Sequence, residues 1–254
     1  LKKIRQDCTF DQSNFKKALK GAEIYYSVDL SNATDRFPIT LIEYLLKAQL
    51  PHFYVDAWKD VMSGYPFGHH PNVVDTNFYR YSTGNPMGAY SSFNSFALTH
   101  HYIIFYICKT LGKDWKSLPY AILGDDIVIG DKEVGDKYLE VIRTLGLEVS
   151  IMKTHTSTKM FEFAKRIFLD GVEITPFPYS ALKECGKSVS QMTTLLYEIS
   201  SKNWLSKESL SSSISSYMGI VRDLPSSFRK KTSQKASLCE GVLLTIHGII
   251  PVNA

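Results

Sequence analysis

Cysteine is scarce in this sequence. Cys8, Cys108, Cys185 and Cys239 are far apart and form no CxxC pair. Disulfide scaffolds and zinc ribbons are thereby excluded, and a reducing compartment is the default. Long apolar runs are missing too: the most apolar stretch, Phe96–Cys108, contains His100 and His101 and is too short to span a bilayer. Neither sign of charge dominates, since 29 Lys and Arg against 25 Asp and Glu give +4. So small an excess neither requires nor excludes a nucleic-acid partner. No internal repeat, signal peptide or amphipathic transit segment is visible, and the chain opens with Leu1 rather than Met, so it reads as a piece of a longer polypeptide. What is present is ordinary globular composition: 44% hydrophobic and 21% charged residues over 254 positions predict one large domain or two small ones.

A basic lead-in (Lys2, Lys3, Arg5, Lys16, Lys17, Lys20) precedes Glu23–Asp29, whose aromatic and β-branched content predicts a strand. A polar turn, Ser31–Asp35, follows, then a helix with Pro38 in its first turn and a second helix over Pro51–Met62. Residues 64–88 are rich in Gly and Pro and read as loop with a short strand at 73–81. The apolar segment Ala89–Leu111 predicts a long buried helix ended by Gly112. Pro119–Gly130 gives two short apolar strands around Gly124-Asp125-Asp126, a hairpin with acids at its tip. An amphipathic helix over Val134–Leu145, capped by Gly146, leads to a strand at 147–151 and to Lys153. A second hairpin is expected over Phe161–Ile174, turned at Asp170-Gly171. Beyond Pro176 the chain becomes Ser-rich and Lys-dotted, with helices expected over Ser188–Lys202, Lys207–Ile220 and Lys235–Ile249.

Three carboxylates carry the chemistry. Asp29 ends a strand, and Asp125 with Asp126 tips a hairpin; pairing the two in one sheet would bring the three acids together. Hard oxygen donors at that density suit Mg²⁺, and two such ions about 3.5–4 Å apart clamp the attacking and leaving oxygens of a phosphoryl transfer. An isolated Gly-Asp-Asp is more simply a solvated turn. Here it falls in an ordered series: strand with D-x5-D, Gly-rich loop opening a long helix, hairpin, helix–strand–Lys, second hairpin.

That series resembles the palm motifs of viral RNA-dependent RNA polymerases. Asp29-Leu-Ser-Asn-Ala-Thr-Asp-Arg-Phe-Pro38 is similar to motif A, Gly84-Asn-Pro-Met-Gly-Ala-Tyr-Ser-Ser92 with Ala97-Leu-Thr-His-His101 to motif B, and Leu123-Gly-Asp-Asp126 to motif C. Lys153-Thr154 resembles the end of motif D and Phe161-Glu-Phe-Ala-Lys-Arg166 motif E. The wording resembles the mitoviruses, capsidless (narnavirus-like) replicons of fungal and plant mitochondria, over roughly residues 20 to 178. The resemblance implies an α+β polymerase palm, an antiparallel sheet packed on helices. Residues 1–22 would be residual fingers, 23–175 the palm with a finger insertion near 50–82, and 176–254 an α-helical thumb.

By resemblance, Asp29 and Asp125 coordinate two Mg²⁺ ions, with Mn²⁺ as a substitute, and Asp126 is a weaker or outer acid. Lys153 protonates the leaving pyrophosphate. Asp35 contacts the ribose 2′-hydroxyl or, as the plainer alternative, caps the helix near Pro38. Motif B departs from the usual Gly-x3-Thr-x3-Asn, with Gly88 at the Thr position and Ser92 at the Asn position. Gly84 and Gly88 would let backbone approach template or nucleotide closely, and Ser92 still offers a hydroxyl to Asp35 or the ribose. Lys165 and Arg166 would hold the growing strand's phosphates. The implied partners are an RNA template, the nascent strand and NTPs, in mitochondria by resemblance and otherwise in the cytoplasm. His69-His70 reads as exposed loop, and His100-His101 as core packing or hydrogen bonding rather than metal ligation.

Three alternatives stand beside this. The basic motif that grips triphosphates upstream of motif A has no convincing match in residues 1–22. A truncated, endogenised viral copy without catalysis is therefore open, binding RNA at most through basic residues such as Arg229, Lys230, Lys231 and Lys235. A metal-dependent nuclease shares clustered acids but explains neither the motif B loop nor the hairpins. A reverse transcriptase would carry an aromatic-x-Asp-Asp turn where this chain has Gly124-Asp125-Asp126.

Overall fold

A computed structural model describes residues 1–68 and 77–176, together with isolated helical positions beyond, such as Gln191, Leu195 and Ile199. His69-His70, Cys185, Cys239, the C-terminal basic residues and the expected C-terminal helices lie outside the described residues, those isolated positions apart. The chain divides into two compact units, Leu1–Thr175 and Pro176–Ala254.

In the first unit the elements run α1 (Phe15–Ala18), β1 (Tyr25–Val28), β2 (Leu30–Ser31), α2 (Ala33–Arg36), α3 (Ile39–Lys47), α4 (His52–Lys59), β3 (Phe67–Gly68), β4 (Phe78–Tyr79), α5 (Ser92–Thr110), β5 (Tyr120–Leu123), β6 (Asp126–Ile129), α6 (Lys132–Thr144), β7 (Glu148–Val149), β8 (His155–Ser157), β9 (Met160–Phe163), β10 (Arg166–Leu169) and β11 (Val172–Glu173). The central sheet has the order β5-β6-β1-β8, antiparallel throughout, with Val28 opposite Ile127 and Leu123 opposite Asp126. Helices and antiparallel sheets share one body, the α+β palm-like arrangement anticipated above.

Both faces of this sheet are covered, which is why its strands read as nearly unbroken apolar runs. Tyr26, Val28, Tyr120, Ile122, Ile127 and Ile129 bury one face against α5 and α6, through Phe96, Ile104, Ile107, Tyr138 and Ile142. Ala121 and Val128 point the other way, into a second core with Cys8, Phe15, Phe161, Phe163 and Phe168. The lead-in is therefore more than a basic tail. Cys8 donates its amide to Ile122 and Ile122 to Gln6, so residues 6–8 run along the edge of β5. Asp7 reaches His101 of α5 at 3.1 Å, and His101 meets the Tyr120 hydroxyl at 2.9 Å.

Other expectations shift in detail. α5 begins at Ser92 rather than Ala89, because Gly88 (φ +81) and Ser91 (φ +73) are both left-handed and interrupt any helix there. That helix is also buried on one side only; Phe93, Phe105 and Tyr106 are exposed. Pro38 stands just before α3 as its N-cap, which fixes the chain's approach without a side-chain hydrogen bond. The expected 161–174 hairpin is a three-stranded meander with turns at Ala164-Lys165 and Asp170-Gly171.

Candidate active site

The acids meet at the end of β1. Asp29 follows the last residue of that strand and is clamped by the turn after β7: its amide donates to Thr154 Oγ1 at 3.2 Å and its carbonyl accepts from Ser150 at 2.9 Å. The same turn carries Lys153, whose Nζ lies 3.4 Å from Asp29 Oδ2. That ammonium is largely exposed, so the pair contributes little to stability. Its significance is position: the lysine stands beside the first acid.

Pairing of β6 with β1 sets Asp126 next to Asp29, while Asp125 is exposed at the hairpin tip. Glu162 completes the group. Along β9 Phe161 and Phe163 enter the second core, so the residue between them faces the opposite way. Glu162 also donates its amide to Ser27 Oγ at 3.1 Å, which docks β9 on β1. A cleft of ≈ 20 Å³, room for about one water, lies between Ser27, Asp29, Asp126, Lys153 and Glu162. Burial first, and then the carboxylates of Asp125, Asp29 and Glu162, push the Asp126 carboxyl up to about 6; the Lys165 ammonium offsets part of this.

No three acidic, histidine or cysteine side chains among the described residues converge as a preformed metal site. The donor chemistry nonetheless fits a hard divalent ion. Several carboxylates share a half-buried space, and Asp126 records the unneutralised charge as a raised affinity for protons.

A second grouping joins motifs A and B. Asp35 lies in α2, so it does not cap α3; that alternative fails because Pro38 occupies the capping position. The Asp35 carboxylate instead accepts from the Tyr81 hydroxyl, and burial together with that negative charge raises the Tyr81 pKa. The Tyr81 ring is met edge-on by Phe67 at 5.5 Å. Gly84 allows a close approach, and the approaching group is motif A itself: a Cβ there would lie 2.1 Å from the Thr34 carbonyl oxygen. The amide of Asn85 donates to that same oxygen at 3.0 Å. Gly88 is left-handed and open to solvent. Ser92 Oγ and both amide atoms of Asn85 are buried and find no hydrogen-bond partner among the described residues.

Motif E separates its two basic residues. Lys165 sits in the β9–β10 turn, exposed and near enough to Asp126 to oppose its shift. Arg166 is held by Glu173 in a two-pronged ion pair (2.9 and 2.5 Å) and lies over the rings of Phe15 and Phe168. Its guanidinium braces the meander.

A family model described as mitovirus RNA-dependent RNA polymerase matches residues 1–242. The chain belongs to that family. An RNA-directed RNA polymerase of Cryphonectria parasitica mitovirus 1 is 38% identical over 172 residues, covering 66% of this chain and 20% of the viral protein. The chain thus corresponds to about a fifth of that relative's length. The uncharacterized mitochondrial protein AtMg01110 of Arabidopsis thaliana is 30% identical over 221 residues, 81% of this chain and 85% of that one. Among solved structures, an RNA-dependent RNA polymerase of a human picobirnavirus aligns at TM-score 0.50 and 11% identity, over 98% of this chain and 47% of that one. A Candida albicans telomerase aligns at 0.52 and 10%, over 99% and 53%. These distant structures establish a shared fold.

Sequence reasoning missed Glu162, Tyr81 and the buried partners of the two histidines. Alternation around Phe161 and Phe163 could have exposed Glu162 as an acid on the cleft side. Nothing in the sequence pointed to Tyr81. No helix among the described residues is long and apolar enough to cross a membrane.

Proposed function

We propose that this mitovirus-family chain is the palm-bearing part of an RNA-directed RNA polymerase, adding nucleotides from NTPs to an RNA 3′-hydroxyl under direction of an RNA template. The observation that carries this is the meeting of Asp29, Asp125 and Asp126 at one sheet end with Lys153 beside them. On this reading residues 1–22 are lead-in to the fingers, 23–175 the palm with a finger insertion near 50–82, and 176–254 a helical thumb. The mitovirus and Arabidopsis relatives support a mitochondrial setting.

In the reaction the 3′-oxygen forms a bond to the α-phosphorus as the bond to the bridging oxygen of the β-phosphate breaks. Asp29, Asp125 and Asp126 would hold two Mg²⁺ ions, or Mn²⁺, which supply charge neutralisation and acidify the attacking hydroxyl. Lys153 delivers a proton to the departing pyrophosphate; its place beside Asp29 keeps it within the site. Asp35, held by Tyr81 and by the Gly84 segment, reads the ribose 2′-hydroxyl. Ser92 lies beneath as a buried hydroxyl still to be paired. Lys165 meets the product strand's phosphates while Arg166 fixes the hairpin that presents it.

A second reading, a non-catalytic host-borne copy that at most binds RNA, is favoured by one observation: this chain spans 85% of a plant mitochondrial relative. The retained acids and Lys153 weigh against it. Primer extension on a short RNA template with Mg²⁺ and labelled NTPs separates the two, comparing this chain, a form lengthened upstream, and Asp125→Ala in each. Incorporation abolished by Asp125→Ala supports the polymerase. RNA binding with no incorporation from either form would falsify it and favour the copy.

A further inference from the structure

His100 is fully buried in α5, within the protein's main core. Its Nδ1 lies 2.9 Å from the carbonyl oxygen of Gly124 and its Nε2 2.6 Å from the Tyr138 hydroxyl of α6. The ring is fixed further by Phe96, Phe37 and a stacked Tyr138. Burial holds the imidazole down to about 4, so it is neutral at physiological pH and carries one ring proton. A carbonyl can only accept. The proton therefore sits on Nδ1 and is donated to Gly124, and Nε2 accepts from Tyr138. One tautomer satisfies the whole chain of contacts.

The carbonyl at the end of this chain belongs to the central peptide of the acid-bearing turn. Gly124 has φ +63 and Asp125 has no positive φ, the order of signs of a type II′ turn. Turning the Gly124–Asp125 peptide over converts that geometry into type I′, in which Asp125 itself must become left-handed. The two states direct the Gly124 carbonyl to opposite sides and give Asp125 different backbone angles. A donor fixed in the core on one side selects one of them.

We propose that His100, held by Tyr138, is a positioning residue that locks the Gly124–Asp125 peptide and so aims the Asp125 carboxylate at the metal-binding cleft. This rests on the polymerase reading for its consequence in catalysis and on the hydrogen bonds alone for the locking. It gives the adjacent histidines distinct tasks: His101 ties α5 to Asp7 and Tyr120, while His100 serves the turn.

The amide nitrogen of asparagine can stand at the place of Nδ1, whereas that of glutamine stands near Nε2. Comparing His100→Asn with His100→Gln thus tests donation to Gly124 at nearly equal loss of packing, with Tyr138→Phe as a third variant. For the full chain we expect His100→Gln to lower kcat for nucleotide incorporation and weaken Mn²⁺ binding, each about tenfold or more, the range seen when groups behind metal ligands are removed. KM for NTP should stay within about twofold, and His100→Asn should recover most of both losses. Tyr138→Phe should fall between them. Mn²⁺ binding is followed by loss of the free-ion paramagnetic resonance signal, and melting temperatures of the three variants are compared. Equal kcat and Mn²⁺ affinity in His100→Asn and His100→Gln, at similar melting temperature, overturns the proposal. If the unsubstituted protein binds Mn²⁺ but incorporates nothing, the polymerase reading fails and the Mn²⁺ comparison alone decides the positioning role. No Mn²⁺ binding by the unsubstituted protein sinks both.

Discussion

The β5–β6 and β9–β10 hairpins are both closed by two residues, and they reach left-handed backbone by opposite means. The first uses Gly124 at φ +63, where the missing Cβ removes the clash. Its tip carries acids, and His100 holds it from the core. The second places Ala164 at φ +53 and Lys165 at φ +61, two side-chain-bearing residues in a region that disfavours them by roughly 1 kcal/mol each. Its tip carries a base, and its support is the Arg166–Glu173 pair with a cluster of phenyl rings. One turn is permitted by its own sequence and aimed by a neighbour; the other is imposed by the packing of its strands. Aim matters where a carboxylate must meet an ion within tenths of an ångström. A lysine on a flexible stem needs only to be nearby.

The sharpest way to break this contrast is Gly124→Ala. The backbone angle costs about 1–2 kcal/mol, and the new Cβ would lie 2.6 Å from the rim of the Phe93 ring, which can swing aside. Stability should fall by that amount in denaturant melts. Nucleotide incorporation should fall much further, on the order of a hundredfold, because small misplacements of reacting groups are amplified. Incorporation that merely tracks stability would show that the tip needs no aiming.

Next in size is Asp126→Asn. The folded-state pKa of Asp126, about 6, stands above the ordinary carboxylate value, so between about pH 4 and 6 the folded chain holds a proton that the unfolded chain has lost. Stability therefore falls as pH rises through that window and is flat above it. After allowance for solvent screening, the burden at pH 7 is about 1–2 kcal/mol. Asp126→Asn should melt higher than the natural chain at pH 7 and equal to it at pH 4, while losing incorporation. Saturating Mg²⁺ should shrink the pH 7 gain, since the ion neutralises the same charge. A gain equal at both pH values would refute the crowding account.

The same contrast shows what was legible in the sequence. Gly124-Asp125 between apolar runs announces a turn, and the β5–β6 hairpin, β1, α3, α5 and α6 all follow from local pattern. The Ala164-Lys165 turn announces nothing, because Ala and Lys have no preference for φ > 0. Its hairpin was accordingly read as a single pair turned at Asp170-Gly171. Residues 6–19 were misjudged for a related reason: Cys8, Phe15 and Leu19 are buried by a sheet edge more than a hundred residues away, and their spacing matches neither period. The acids of motifs A and C were found because one strand register decides their meeting. Glu162 and Tyr81 escaped because their roles depend on which way a strand faces and on a loop's path.

Tyr81→Phe tests that missed contact. Losing the hydroxyl leaves Asp35 free to turn, and a hydrogen bond to an ionised group at an accessible site is worth about 1 kcal/mol. Discrimination between NTP and dNTP should therefore drop roughly fivefold, with incorporation of NTP little changed. Competition between labelled GTP and dGTP reads it directly, and an unaltered ratio would place sugar selection elsewhere.

The smallest effect closes the comparison from the other side. At Ala164 the backbone is already left-handed, and asparagine tolerates that region better than alanine by about 0.5–1 kcal/mol, so Ala164→Asn should stabilise the chain by that much. Alanine→asparagine at an ordinary surface position does not stabilise, so a rise in the denaturation midpoint at unchanged slope would identify strain as the cause. The substitution changes no charge and no core contact, and Lys165 keeps its place. If the β9–β10 turn is imposed by packing, stabilising it raises the melt without changing the salt dependence of RNA binding. A change in that dependence would mean that the turn's shape, and not simply its lysine, contacts the RNA, and the two hairpins would then be alike in needing to be aimed.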